Sequence, residues 1–296
     1  MRIVTDCAAD MSTAELEALD VTQAPLFIQF PEGEISSAEI AADAFYDRLE
    51  AMRPAVPTTA QPAPGTFAAL YENLAAFDPE ILSLHISGGL SGTVNSARLG
   101  QAQAPNAHVA VWDTLTLSGT QRFQVLAAAW AARAGWALAR IQQRLREIQA
   151  QSELLYTLDT LEYLARGGRI GRVQALAGAL LNLKPVITVD HTDGKYNTLG
   201  RARTIARAIT FIVDHVQAVY AQTPLWVTVL HGRFAEKADA MAREASARLN
   251  VARLETARIS PVLGVHTGPG IVGLAAVPMR LLEDLVGAPS AAVTGG

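Results

Sequence analysis

The chain has 296 residues, half of them hydrophobic and 18% charged, with a net charge of −4 at neutral pH. That supports a sizeable core and excludes a disordered chain or one carrying a general basic footprint for nucleic acid. Its single cysteine, Cys7, excludes a disulfide within the chain and fits a reducing, cytoplasmic setting.

The opening MRIVTDCAAD reads as a strand, RIVTD, and lacks the long apolar core of a secretion signal. MSTAELEALD carries Ser12 with Glu15 three residues on, a capping-box start for a helix. VTQAPLFIQF reads as one strand, and SSAEIAADAFYDRLEAM as an amphipathic helix starting at its serines. PAVPTTAQPAPGTF holds four prolines and is expected to lack regular structure. TFAALYENLAAF reads as a helix, and EILSLHI and HVAVWD as strands. Strands alternating with helices predict an α/β fold whose first sheet is mostly parallel and covered on both faces.

Residues 118–150 read as a long Ala-rich helical region, with QQRLREIQAQS as an exposed connection leaving it. LLYTLD restarts the pattern as a strand, and LEYLARGG is a short helix stopped by two glycines. GRVQALAGALL reads as a helix, and PVITVDHTDGKYNTLGRA as a hairpin turning at Asp193-Gly194. TIARAITFIVDHVQAVYA and AEKADAMAREASARL are helices flanking the strand LWVTVLHG. VARLETARIS, VLGVHTG and VGLAAVPM are expected to add short late strands. No run is long and apolar enough to predict a transmembrane span. The pattern predicts two α/β domains, 1–150 and 151–280, followed by a tail over 281–296.

HISGGLSGTVNSA, residues 85–97, is the passage richest in chemistry. A glycine–hydroxyl loop between a strand and a helix start brings backbone N–H groups and a positive dipole end to one place, which suits an anion. Ser91 there either caps the helix, holds a ligand or attacks one. GLSGT resembles the G-x-S-x-G nucleophile elbow, with Thr93 at the fifth position. His266 downstream completes a Ser…Asp…His order, so a serine esterase using Ser91 and His266 is the alternative, although order alone does not make a triad. Thr58 and Thr59 offer hydroxyls on a proline-flanked loop. Arg166, Arg169 and Arg172 in RGGRIGR, and Arg201 and Arg203 in GRAR, suit carboxylate or phosphate recognition as well as a solvated face. GPGIVG fits G-x-G-x-x-G but leads into LAAVPM, more strand-like than helical, so a backbone turn is expected. The histidines are scattered, without metal-ligand spacing.

Taken together, IVTDCAADM, TTAQPAPGTF, ISGGLSGTVNSA, DTLEYLARGGRIGR, LLNLKPVITVDHTDGK and GVHTGPGIVGLA resemble, in order, the landmarks of the DegV family of bacterial fatty-acid-binding proteins. The resemblance runs from about residue 2 to residue 280. It implies two α/β domains with a long acyl chain in a tunnel at their junction. The carboxylate of a C14–C18 fatty acid would be held by Thr59 and Ser91, with Gly92 and His266 beside it. It further implies an acyl carrier, not an enzyme, with no cofactor beyond its lipid. Such a carrier presents its fatty acid to a separate fatty acid kinase for acyl-phosphate formation. Arg169, with Arg201 or Arg203, would then serve the phosphotransfer complex. Three positions depart from the usual pattern: Cys7 for a serine, Ala60 for a serine, and Gly88 where a second serine is common.

Overall fold

The computed structural model describes residues 1–173 and 183–286. The first half of the chain runs β1 (Arg2–Asp6), α1 (Thr13–Leu19), β2 (Val21–Ala24), β3 (Phe27–Phe30), β4 (Gly33–Ser36), α2 (Ala42–Ala51), β5 (Thr58–Ala60), α3 (Pro64–Ala75), β6 (Glu80–His85), α4 (Thr93–Gln101) and β7 (His108–Asp113). β2, β1, β6 and β7 form, in that order, a parallel sheet. Both faces of such a sheet must be covered. Val4, Ile81 and Val109 pack with Phe67 and Tyr71 of α3 and Ala97 of α4. Ile3, Leu82 and Leu84 belong instead to the large core that receives the next helix.

That helix, α5 (Ser118–Arg133), is followed by α6 (Leu138–Gln151), β8 (Glu153–Leu158), α7 (Glu162–Arg166), β9 (Lys184–Val189), β10 (Tyr196–Ala202), α8 (Ile205–Tyr220), β11 (Leu225–His231), α9 (Ala235–Arg248), β12 (Val251–Arg258), α10 (Pro261–Thr267) and β13 (Ile271–Pro278). The second sheet has the order β10-β9-β8-β13-β11-β12. It is antiparallel except at β11 and β12. α8 and α9 cover one face through Ile209, Ile212, Val213 and Met241. The other face meets α5, so one apolar core joins Leu84 and Phe123 to Tyr156, Trp226 and Ala275.

A third, antiparallel sheet of β4, β3 and β5 sits apart from the other two. It corrects three expectations. VTQAPLFIQF is two strands in two sheets, because Pro25 has no N–H for a ladder and interrupts it. TTAQP is partly regular: Thr58–Ala60 pair with Phe27–Gln29. The helix expected from Ser36 begins only at Ala42, since Ser36 is held in the β3–β4 ladder. Ser37 does act as a cap, but for another helix: its Oγ accepts the Val262 N–H at the start of α10.

Two more expectations change. The 118–150 region is two helices, separated at Gly135, whose φ is +75°. QQRLREIQAQS lies inside the second, where Ile141, Leu145 and Ile148 recur at helical spacing and are buried. VLGVHTG is helical, not a strand. Pro261 sits at the first position, and every residue of the helix is buried, so no polar face marks its period. The Ser12–Glu15 capping box and the Asp193-Gly194 turn are present as expected. The helix expected over GRVQALAGALL falls, beyond Val173, outside the described residues, as does the tail from residue 287.

Candidate functional site

β6 delivers the chain into the loop 86–92, and α4 carries it away. The loop is fixed from beneath. The Asp6 carboxylate accepts the Ile86 N–H at 2.9 Å and pairs with His85 Nδ1 at 3.0 Å. It is fixed from the side by the second half of the chain. Ser87 Oγ donates to the Gly194 carbonyl at 2.8 Å, at the tip of the β9–β10 hairpin. Gly89 is required there, because a Cβ would lie 2.3 Å from the Asp193 carbonyl oxygen. Ser91 Oγ accepts the Thr93 N–H at 3.3 Å and lies 2.8 Å from Thr93 Oγ1. It is therefore a partial cap, since Gly92, the residue just before α4, has no side chain to cap the helix.

Thr59 comes from β5, and His266 from the last turn of α10. Thr59 Oγ1 and His266 Nε2 are 2.8 Å apart. His266 Nδ1 is buried and has no hydrogen-bond partner among the described residues. Gly167 presses on that side of the ring: a Cβ there would come within 2.3 Å of Nδ1. Burial, and then the positive charge of Arg169, push the His266 imidazole down to about 4, so it is neutral at pH 7. α10 is tied to the first half through Asp10, which accepts the Ser260 N–H at 2.7 Å and a hydrogen bond from Ser118.

These groups meet. Thr59, Ser91, Arg169 and His266 line one cavity of about 40 Å³, together with Gln61 and Tyr196. Its remaining wall is apolar, from Leu26, Ile86, Leu90, Val262 and Leu263. A second cavity of about 20 Å³ lies beyond, almost wholly apolar, and Tyr196 and Leu263 line both. Residues from both halves of the chain enclose it.

The arginines divide. Arg166 pairs with Glu162, and Arg172 with Asp190 and Asp193. Among the described residues Arg169 makes no ion pair; it donates to the Gly167 carbonyl at 2.8 Å and faces the cavity. Arg201 stands opposite Pro185 at the end of β10, and Arg203 follows it. Both are exposed, and neither lines the cavity. Gln61, Tyr196, Val262 and Leu263 also line the cavity and carry no distinctive signal in the sequence. Tyr196 opens the second strand of a hairpin, and the other apolar residues look like ordinary core.

The three departures have separate consequences. A Cβ at Gly88 would lie 2.8 Å from Asp113 Oδ2, so a serine here would crowd that carboxylate. Ala60 lines the cavity without a hydroxyl. Cys7 does not reach the cavity. Its thiol lies 3.5 Å from Gln23 Oε1, and burial pushes it up to about 12.

The esterase constellation is not assembled. Ser91 Oγ is engaged with Thr93, and His266 Nε2 with Thr59, while among the described residues His266 Nδ1 has no carboxylate to orient it. Among the described residues no group of three or more His, Cys, Asp or Glu is placed to hold a metal ion, and no helix is long and apolar enough to cross a membrane.

Comparison with known proteins gives a consistent result. The family model described as "Uncharacterised protein, DegV family" matches residues 1–279. A DegV domain-containing protein of Deinococcus radiodurans is 39% identical over 277 residues, covering 93% of this chain and 95% of the relative. A solved DegV family protein from Thermus thermophilus, described by its fatty acid binding, superimposes with a TM-score of 0.87 at 33% identity, over 94% of this chain and all of that one. A stearic acid-binding protein from Eubacterium ventriosum gives a TM-score of 0.85 at 25% identity, over 94% of this chain and 98% of its own. The parallel first sheet, the mixed second sheet and the match over nearly the whole chain make this protein a member of the DegV family.

Proposed function

We propose that this protein binds a long-chain fatty acid, of the C14–C18 class, with its carboxylate at Thr59, Ser91 and Gly92 and its alkyl chain in the apolar cavities behind them. The observation that carries this is the cavity in which Thr59, Ser91, Arg169 and His266 converge, with a second, apolar cavity that shares Tyr196 and Leu263 with it. The descriptions of the Thermus and Eubacterium relatives point the same way.

The polar end works through hydrogen bonding. With its proton on Nε2, neutral His266 donates to Thr59 Oγ1, which leaves the Thr59 O–H free to donate to a carboxylate. Ser91 Oγ and the start of α4 at Gly92 supply further donors. Arg169 adds positive charge nearby. Each hydrogen bond to the charged head contributes about 1.5–3 kcal/mol.

The alkyl end supplies most of the affinity. At about 0.8 kcal/mol per methylene, a 16-carbon chain gains on the order of 12 kcal/mol by leaving water. The two cavities have room for little more than single waters. The chain therefore enters by displacing the side chains that line both, Tyr196 and Leu263. Tail burial drives binding, and the polar end sets orientation.

In the same reading the protein is a carrier and not a catalyst, and it offers the carboxylate to a separate fatty acid kinase. Arg169 at the cavity, and the exposed Arg201 near the end of β10 or Arg203 just past it, would meet that partner. Calorimetric titration of delipidated protein with palmitate and oleate tests the binding step. Saturable 1:1 binding is expected, weakened about tenfold in Ser91→Ala. Equal affinity in wild type and Ser91→Ala contradicts the placement of the head.

A further inference from the structure

The inner cavity holds a feature that an ordinary saturated chain does not explain. Its walls are aliphatic: Leu117, Leu154, Leu230, Ile259, Leu263 and Ile271. Two of its polar groups are already engaged. Ser118 Oγ donates to Asp10, and Thr267 Oγ1 donates to the Leu263 carbonyl at 3.0 Å. Tyr156 is different. It is 4% exposed, it lines the cavity, and its hydroxyl makes no hydrogen bond of good geometry among the described residues, with the Tyr196 phenol beside it. Tyr196, which lines both cavities, is the neighbouring aromatic, with ring centroids 5.7 Å apart and an edge-to-face arrangement.

Phenylalanine would fill the same volume without stranding a hydroxyl in an apolar wall. Tyr156 is packed tightly at its base: it stands opposite Gly273 of β13, where a Cβ would come 2.7 Å from the tyrosine's own Cβ. A water in this cavity would have the two phenols and little else, fewer partners than buried waters usually keep. A hydroxyl fixed to an alkyl chain needs only one partner, because its carbon is held by the surrounding aliphatic wall.

Resting on the fatty-acid reading above, we infer that the tunnel accepts a long-chain fatty acid bearing a hydroxyl part-way along its chain, with the Tyr156 phenol as the hydrogen-bond partner of that hydroxyl. Tyr196 lies between this point and the carboxylate site, so the favoured hydroxyl is remote from the head group.

The test is competition binding of stearate, 3-hydroxystearate, 10-hydroxystearate and 12-hydroxystearate to delipidated wild type and Tyr156→Phe. In the wild type, the 10- or 12-hydroxy acid is expected to bind at least as tightly as stearate, and the 3-hydroxy acid more weakly. Tyr156→Phe should weaken that mid-chain hydroxy acid about tenfold while stearate stays within about twofold, which also shows that the variant is folded. The inference is overturned if every hydroxystearate binds wild type about tenfold or more weakly than stearate. It is equally overturned if Tyr156→Phe leaves the discrimination unchanged. Stearate separates the two levels: binding of none of the four acids removes the fatty-acid reading itself, whereas tight stearate with every hydroxy acid rejected removes only the role of Tyr156.

Discussion

Thr59 and His266, 207 positions apart in the chain, bring their side chains to 2.8 Å. One rides on a three-residue strand and the other on a buried helix, and their contact forms the polar end of the cavity. Thr59→Val keeps the shape and deletes the hydroxyl. It should reduce fatty-acid affinity about tenfold and lower stability by about 1 kcal/mol, since His266 Nε2 loses its partner. Titration calorimetry and urea unfolding measure the two effects separately.

His266 should respond to pH in one direction. Its folded value, about 4, lies below the ordinary 6.5. Below pH 6.5 the unfolded chain takes up a proton that the folded protein refuses until near pH 4. Stability is therefore lost as pH falls through that window, by up to roughly 3 kcal/mol from this residue. His266→Gln should flatten that part of the stability profile. A bound carboxylate should raise the pH at which the ring titrates, which NMR of the imidazole reads directly.

Gly89→Ala places a methyl against the Asp193 carbonyl, on backbone that cannot swing away. We expect a loss of about 2 kcal/mol and a looser Ser91 loop, seen as faster amide exchange in residues 86–92. A variant as stable as wild type would contradict the tight docking of hairpin on loop.

Cys7 should be chemically silent in the native state. It is 4% exposed and its thiol is pushed up to about 12, so the reactive thiolate is scarce. A disulfide reagent should titrate one thiol in denaturant and essentially none in buffer. Rapid reaction in buffer would mean that the β1 end opens.

What was legible in the sequence was local chemistry. Gly194 at a tight turn, the Ser12–Glu15 pair and the glycine–hydroxyl loop around Ser91 each act within a few residues, so their spacing reveals them. The parallel first sheet followed from the strand–helix alternation. VLGVHTG was misread because a helix buried on every side has no polar stripe to display its period. β5 was hidden because three residues between prolines become a strand only when Phe27–Gln29 pair with them. The Thr59–His266 contact and the wall shared by Tyr196 and Leu263 depend on how three sheets pack, which no local spacing encodes.

Occupancy of this cavity by a fatty acid can be read directly. The most direct measurement is to denature the purified protein, extract it with organic solvent, analyse the extract by mass spectrometry and repeat after incubation with palmitate and oleate. About one C14–C18 acid per chain is expected, or uptake to that level on incubation. An empty extract with no uptake would mean that the cavity holds no fatty acid.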